Sequence, residues 1–134
     1  FHRLPPNVRL ASMMTPAIVC MPGGGCIALG SGGSNRIRSA ILQVLTNVLE
    51  FGMGLEQAVN APRLHLEHQH LSVESGFFDA ALAALEAEWP GVEQWPGTNL
   101  FFGGVHAVQR RANGEFCAAG DPRRGGAVAF AGVK

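Results

Sequence analysis

Gly30-Ser31-Gly32-Gly33-Ser34-Asn35 is the segment of this chain best suited to chemistry. It follows a β-favouring run and leads directly into a helical pattern. Several main-chain N–H groups without intrahelical partners therefore gather in one small volume. The helix dipole adds partial positive charge there, so a phosphate, a carboxylate or a developing oxyanion would be stabilised. The glycine spacing fits neither a P-loop nor a dinucleotide-binding turn, which argues against a nucleotide. A tight strand-to-helix turn that needs glycine for positive φ explains the same residues with no ligand. Local physics leaves both readings open.

The other reactive side chains are weaker candidates. His65-Leu66-Glu67-His68-Gln69-His70 gathers imidazoles around a carboxylate. On a strand His68 and His70 would share one face, with Glu67 on the other. No second cluster supplies the remaining ligands, so the segment reads as a polar surface strand, and neither a metal nor a cofactor is expected. His106, inside the apolar run from Phe101 to Val108, reads as a satisfied core or layer-interface histidine. Asp121-Pro122-Arg123-Arg124-Gly125-Gly126 reads as a turn with a modest ion pair. Cys20, Cys26 and Cys117 form neither a secreted disulfide framework nor a CxxC metal spacing. No Ser-His-Asp or Cys-His arrangement can be recognised.

These groups must be positioned by a mixed α/β fold. Ala17–Cys20 and Cys26–Leu29, joined by Pro22-Gly23-Gly24-Gly25, read as a hairpin that is apolar on both faces, hence a buried sheet. In it Cys20 and Cys26 lie opposite each other, either as two small buried apolar residues or as a disulfide. Ile37, Ile41, Val44, Leu45, Val48 and Leu49 recur at helical spacing, with Leu42 and Phe51 widening the stripe. The spacing predicts a largely buried helix over 35–51, capped by Ser34 or Asn35 and closed by Gly52. Ile41, Val44, Leu45 and Val48 are expected to pack on a sheet formed by residues 15–29 and 100–110. A short helix over 55–60 stops at Pro62, and residues 63–74 form one strand or two. A third helix over 77–89 would carry Phe78, Leu82, Leu85 and Trp89 on one face. Strands follow over 100–110, 115–118 and 127–131, the first two joined by an Asn113-Gly114 turn. The pairing is expected to be mostly antiparallel.

The 134 residues suit one domain, with residues 1–9 as a connector. Ten basic against ten acidic side chains leave no net charge, so neither a nucleic acid nor an anionic membrane is an expected partner. Hydrophobic residues at 47% with only 15% charged exclude disorder. Gln43, Thr46, Asn47 and Glu50 interrupt the longest apolar stretch, so no membrane span is expected. The chain starts at Phe1 and reads as a piece of something longer, which leaves its localisation unknown.

Five segments in register carry a family resemblance. They are Ser12-Met13-Met14-Thr15-Pro16, Leu29 to Ile37, Leu45 to Met53, Ala58 to His65, and Asp121 to Gly126. Together they resemble the γ-glutamyltransferase (γ-glutamyltranspeptidase) family from about Arg9 to the end. The resemblance implies an N-terminal-nucleophile hydrolase with a four-layer αββα sandwich, mostly antiparallel sheet with packed helices. It implies a precursor that cuts itself into two subunits, whose new N-terminal threonine attacks a γ-glutamyl amide. This chain matches the C-terminal part of the small subunit, and the nucleophilic threonine lies upstream of what it contains. Its implied partners are the rest of the same precursor and a small-molecule γ-glutamyl substrate such as glutathione. The fragment alone is expected to be inactive. Ser12 matches the first of two serines that hold the substrate α-carboxylate, and Met13 stands at the second, where a thioether has no hydrogen to donate. The family's Pro-Gly-Gly oxyanion loop reads Gly32-Gly33-Ser34 here, with the main-chain N–H groups of Gly33 and Ser34 as the implied donors. A free-standing anion-binding or assembly module built on the same loop is the alternative function.

Overall fold

The computed structural model describes residues 5–9 and 12–132. In chain order the elements are β1 (Ala17–Cys20), β2 (Cys26–Gly32), α1 (Arg36–Leu49), α2 (Leu55–Asn60), β3 (Leu64–Glu67), β4 (His70–Glu74), α3 (Asp79–Glu88), β5 (Glu93–Trp95), β6 (Gly104–Arg110) and β7 (Phe116–Ala119). Short 3-10 turns lie at Leu100–Phe102 and Pro122–Arg124.

Four strands form one antiparallel sheet in the order β1-β2-β6-β7. The other three form a smaller sheet, β3-β4-β5, in which β4 and β5 run parallel. Alternation along each strand decides what the larger sheet does with its two faces. Ile27, Leu29, Val105, Ala107 and Ala119 point to one side and are buried under Ile37, Ala40, Ile41 and Val44 of α1 and Leu55, Ala58 and Val59 of α2. Leu45 and Val48 pack against this core partly buried, as the helical spacing predicts. The other side is uncovered: Ile18 is 73% exposed and Val108 47%. The hairpin is therefore apolar on both faces but buried on only one.

Several expectations need correction. Leu42 (66% exposed) and Phe51 (70%) lie outside the buried face of α1, so they do not widen its core stripe; Leu49, expected within the stripe, is 44% exposed, and only Ile37, Ala40, Ile41 and Val44 of the helix are buried. Neither Ser34 nor Asn35 caps the helix with its side chain. Asn35 has helical φ and ψ, and its amide bonds Glu67 instead. Gly52 does adopt the left-handed φ of +65° beyond the helix end. Helix α3 is two residues shorter at its start than predicted and buries no residue; Phe78, just before it, is 84% exposed. Residues 127–131 form no strand, whereas β5 was not expected at all. The run from Leu100 begins as a 3-10 turn, and β6 starts only at Gly104. There Asn99 accepts from Phe101 N–H at 2.9 Å, a local turn that competes with strand extension.

Candidate active site

β2 ends against β6 with Gly32 opposite Gly104, and the chain turns sharply there into α1. Gly33 has φ of +139°, and a Cβ on it would lie 2.8 Å from Gly103 Cα. Glycine is required at this position by conformation and by space. Ser34 takes a left-handed φ of +53°. The two carbonyls of the turn accept the first helical N–H groups, Arg36 to Gly33 at 3.0 Å and Ile37 to Ser34 at 3.1 Å. The N–H groups of Gly33, Ser34 and Asn35 enter no hydrogen bond among the described residues. Main-chain donors left open in this way are what an oxyanion needs.

The same turn meets a segment far away in sequence. The Ser34 hydroxyl donates to the Met13 sulfur at 3.5 Å, and Ser12 Oγ accepts from Met14 N–H at 3.1 Å. Met13, Thr15, Ser34, Asn35, Ile37 and Arg38 line a shallow groove. The structure thus brings Met13 against the Gly32-Gly33-Ser34 turn, while the Ser12 hydroxyl bonds only within its own segment among the described residues. Thr15 lies just before β1, and its hydroxyl donates to Met13 O at 2.9 Å.

Behind the turn lies an ion cluster that the sequence does not announce. Arg63, Glu74, Asp121 and Arg123 are all buried. Arg63 Nη2 meets Asp121 Oδ2 at 2.6 Å, and Arg123 Nη2 meets Glu74 Oε2 at 2.5 Å. Arg123 also bonds Asp121 Oδ1 at 3.2 Å. Most of the remaining donors and acceptors bond to the main chain, while the buried Arg63 Nε has no partner among the described residues. Arg63 donates to Gly103 O and Val59 O, Arg123 to Val59 O and Ala61 O, and Asp121 accepts from Val105 N–H. Burial alone would push the Asp121 carboxyl up. The Val105 N–H, the Arg63 guanidinium and the Arg123 N–H and charge outweigh it and hold the carboxyl below the usual range. Burial would likewise lower Arg123, but hydrogen bonds and charge from Glu74, then Asp121, raise it. The modest turn ion pair expected around Asp121 is therefore part of a buried network joining α2, β4, β6 and the last turn. No periodicity marks these residues, because a charged side chain next to Pro or Gly looks like any exposed turn residue.

The histidines take other places. His65 is buried, with Ser39 Oγ 2.6 Å from its Nδ1 and Glu67 Oε2 3.5 Å from its Nε2. His68 sits in the β3–β4 turn with φ of +55°, so it does not share a strand face with His70. Among the described residues no three His, Cys, Asp or Glu side chains gather as a metal site would require. His106 lies on the uncovered sheet face and is exposed rather than buried in a core; its Nδ1 accepts from Asp121 N–H at 3.3 Å. Cys20 and Cys26 are opposite each other in register and are free thiols, Cys20 exposed rather than buried.

Known proteins share this chain's sequence pattern and fold. The family model for gamma-glutamyltranspeptidase matches residues 1–131. The chain is 35% identical over 122 residues to the glutathione hydrolase proenzyme of Escherichia coli, covering 88% of this chain and 20% of that protein. It is 31% identical over 114 residues to the acylase ACY 1 proenzyme of a Pseudomonas species, covering 85% of this chain and 20% of that one. The chain thus spans about a fifth of the length of these curated relatives. Among solved structures it resembles the Bacillus anthracis transpeptidase CapD, with a TM-score of 0.76 and 25% identity over 98% of this chain and 78% of that one. It also resembles the gamma-glutamyltranspeptidase of Pseudomonas nitroreducens complexed with L-DON, with a TM-score of 0.73 and 30% identity over 98% of this chain and 67% of that one. These neighbours have the N-terminal-nucleophile hydrolase fold, to which the antiparallel sheet with its packed helices corresponds. A match along nearly the whole chain, together with a shared fold, means that the protein belongs to the γ-glutamyltranspeptidase family.

Proposed function

We propose that this chain is the C-terminal segment of the small subunit of a γ-glutamyltransferase-like amidohydrolase, a single domain that supplies the oxyanion loop and part of the acyl pocket. The observation that carries this reading is the turn at Gly33 and Ser34, whose N–H groups enter no hydrogen bond among the described residues and whose Ser34 borders a groove with Met13. An upstream threonine of the same precursor attacks the γ-glutamyl carbonyl. The carbonyl oxygen gains negative charge, and the two N–H groups stabilise it without reorganising. Ser12 receives the α-carboxylate by hydroxyl donation, while Met13 offers only an apolar wall on its side. Gly32 fixes the approach of the loop. The acyl group is a γ-glutamyl group, as in glutathione.

The rest of the precursor has a surface to dock on. The outer face of the four-stranded sheet, with Ile18, Ala28, Val108 and Ala118, is an apolar depression flanked by Ala127, Val128 and Ala129. A sheet left bare on that side supports a partner layer from the same precursor.

Substitution at Ser34 in the full parent protein tests the loop, with γ-glutamyl-p-nitroanilide as substrate. Proline, with φ locked near −65°, does not fit the +53° of Ser34 and would distort the turn as well as remove a donor. An ester in place of the residue 34 amide removes the donor alone and should lower kcat by roughly 10²–10³. Ser34→Ala should leave the rate nearly intact. Equal damage from both changes would mean that the hydroxyl acts and the main-chain assignment is wrong.

A further inference from the structure

Ile18, Ala28, Val108 and Ala118 are partners in register across the four-stranded sheet and lie on its uncovered face. Strand alternation puts the next row on that face at Cys20, Cys26, Arg110 and Phe116. This row lies outside the apolar depression, whose lining includes none of its four residues. Arg110, Phe116 and Cys20 are exposed, and Cys26 is half-buried. Two thiols therefore stand side by side at the rim of the sheet, next to a charged side chain that belongs in water.

The hydrogen bonds of the hairpin turn fix how close the two sulfurs come. Met21 N–H donates to Gly25 O at 3.2 Å, and Gly24 N–H donates to Met21 O at 3.2 Å. Along an antiparallel ladder, hydrogen-bonded pairs alternate with non-hydrogen-bonded ones. Met21 and Gly25 are bonded, so Cys20 and Cys26, one step further along, form the non-hydrogen-bonded kind. In such pairs the Cα atoms are about 4.5 Å apart and the side chains are close. A disulfide spans Cα separations of about 4.4–6.8 Å, so a bond between these sulfurs needs no change in the ladder. Both are free thiols in this structure. Cys117 is placed differently: it lies opposite Gln109, packs against the core and donates to Gln109 Oε1 at 3.3 Å.

We propose that Cys20 and Cys26 form a redox modification site, a dithiol that a small-molecule disulfide converts reversibly into a cross-strand bridge. Cys20, the more exposed of the two, attacks one sulfur of the disulfide RSSR as its thiolate. The S–S bond of RSSR breaks, a mixed disulfide forms between Cys20 and one RS group, and the other leaves as RS⁻. The Cys26 thiolate then attacks the Cys20 sulfur, which closes the bridge and releases the second RS⁻. The two thiol protons pass to the departing groups, so RSSR is reduced to two RSH while the protein loses two electrons. The bridge ties β1, an edge strand that pairs with β2 alone among the described residues, to its neighbour. None of this chemistry uses a residue of the γ-glutamyl site.

The test uses the full parent protein, first reduced and freed of reductant. It is then treated with 2-hydroxyethyl disulfide, which has no γ-glutamyl group, so the outcome does not depend on the reaction proposed above. Peptide mapping by mass spectrometry follows each cysteine. The wild type should lose both the Cys20 and the Cys26 thiol to a bridge within one chain, and dithiothreitol should restore them. Cys26→Ser should stop at a mercaptoethanol adduct on Cys20, because the resolving sulfur is gone. Cys117→Ser should form the bridge as the wild type does. A wild type that keeps both thiols, that holds the adduct on Cys20 beside a free Cys26, or that bridges through Cys117 overturns the proposal.

Discussion

Arg123→Ala should be among the most damaging single changes in this protein. The Arg123 side chain is fully buried against Glu74 and Asp121. It makes five polar contacts, to Glu74 Oε1 at 2.8 Å and Oε2 at 2.5 Å, Asp121 Oδ1 at 3.2 Å, Val59 O at 3.1 Å and Ala61 O at 2.9 Å. Truncation leaves two buried carboxylates sharing one guanidinium, Arg63, and strips two carbonyls of a donor. Removing one partner of a buried pair costs about 3–5 kcal/mol, mostly for the charge left behind. For a unit of this size that is a drop in Tm on the order of 10–20 °C. Urea unfolding followed by far-UV circular dichroism would measure it, with the slope checked for two-state behaviour. Arg123→Met combined with Glu74→Gln should cost less than the sum of the two single changes by about 1–3 kcal/mol, since each alone strands the other's charge. A loss below about 1 kcal/mol for Arg123→Ala, or strict additivity in the double variant, would mean that the cluster is hydrated and the burial argument is wrong.

Other consequences can be measured alongside. The Asp121 carboxyl is held below its ordinary value, so its contribution is present above the unfolded-state pKa of about 3.9 and is lost as pH falls through the depressed folded value. Asp121→Asn should therefore lower stability at neutral pH and flatten the acid limb of a stability–pH curve; an unchanged acid limb would remove Asp121 from the acid response. Ser34→Gly should stabilise the turn by about 1 kcal/mol, because a left-handed φ is strained for serine and free for glycine, and thermal melts would detect it. Ile41→Ala should cost about 2–5 kcal/mol, against under about 0.5 kcal/mol for Leu42→Ala on the exposed side of the same helix; similar losses at the two sites would refute the helix facing. The 134-residue chain alone should show no hydrolysis of γ-glutamyl-p-nitroanilide, and turnover abolished by a mutation within it would sink the role assigned to an upstream nucleophile.

Much of the fold was legible because it is local. The glycine turn between β1 and β2, the apolar spacing of α1 and the Asn113-Gly114 turn each depend on neighbours a few residues apart. The segment 127–131 differs from its local pattern for the same reason. Its apolar residues suit a strand, but no strand of the sheet pairs with it, and it lies beside the uncovered face. Strand β5 leaves no local signal, because Glu93–Trp95 carries no apolar alternation and its strand exists through parallel pairing with β4.

The sequence by itself determined that Gly33 and Ser34 open a helix with unpaired N–H groups, since a glycine turn before an apolar 3.6-residue repeat does that wherever it occurs. Its order of motifs also carried the family, which matches along nearly the whole chain. Only the tertiary structure decided that Met13 stands beside Ser34, that the Arg124 stem passes close to Gly104, and that Arg63, Glu74, Asp121 and Arg123 cancel one another in the interior. The reason is physical. A charged side chain is stable in water or opposite a partner, and which of the two it finds depends on residues as far apart as Glu74 and Arg123, which no local pattern connects.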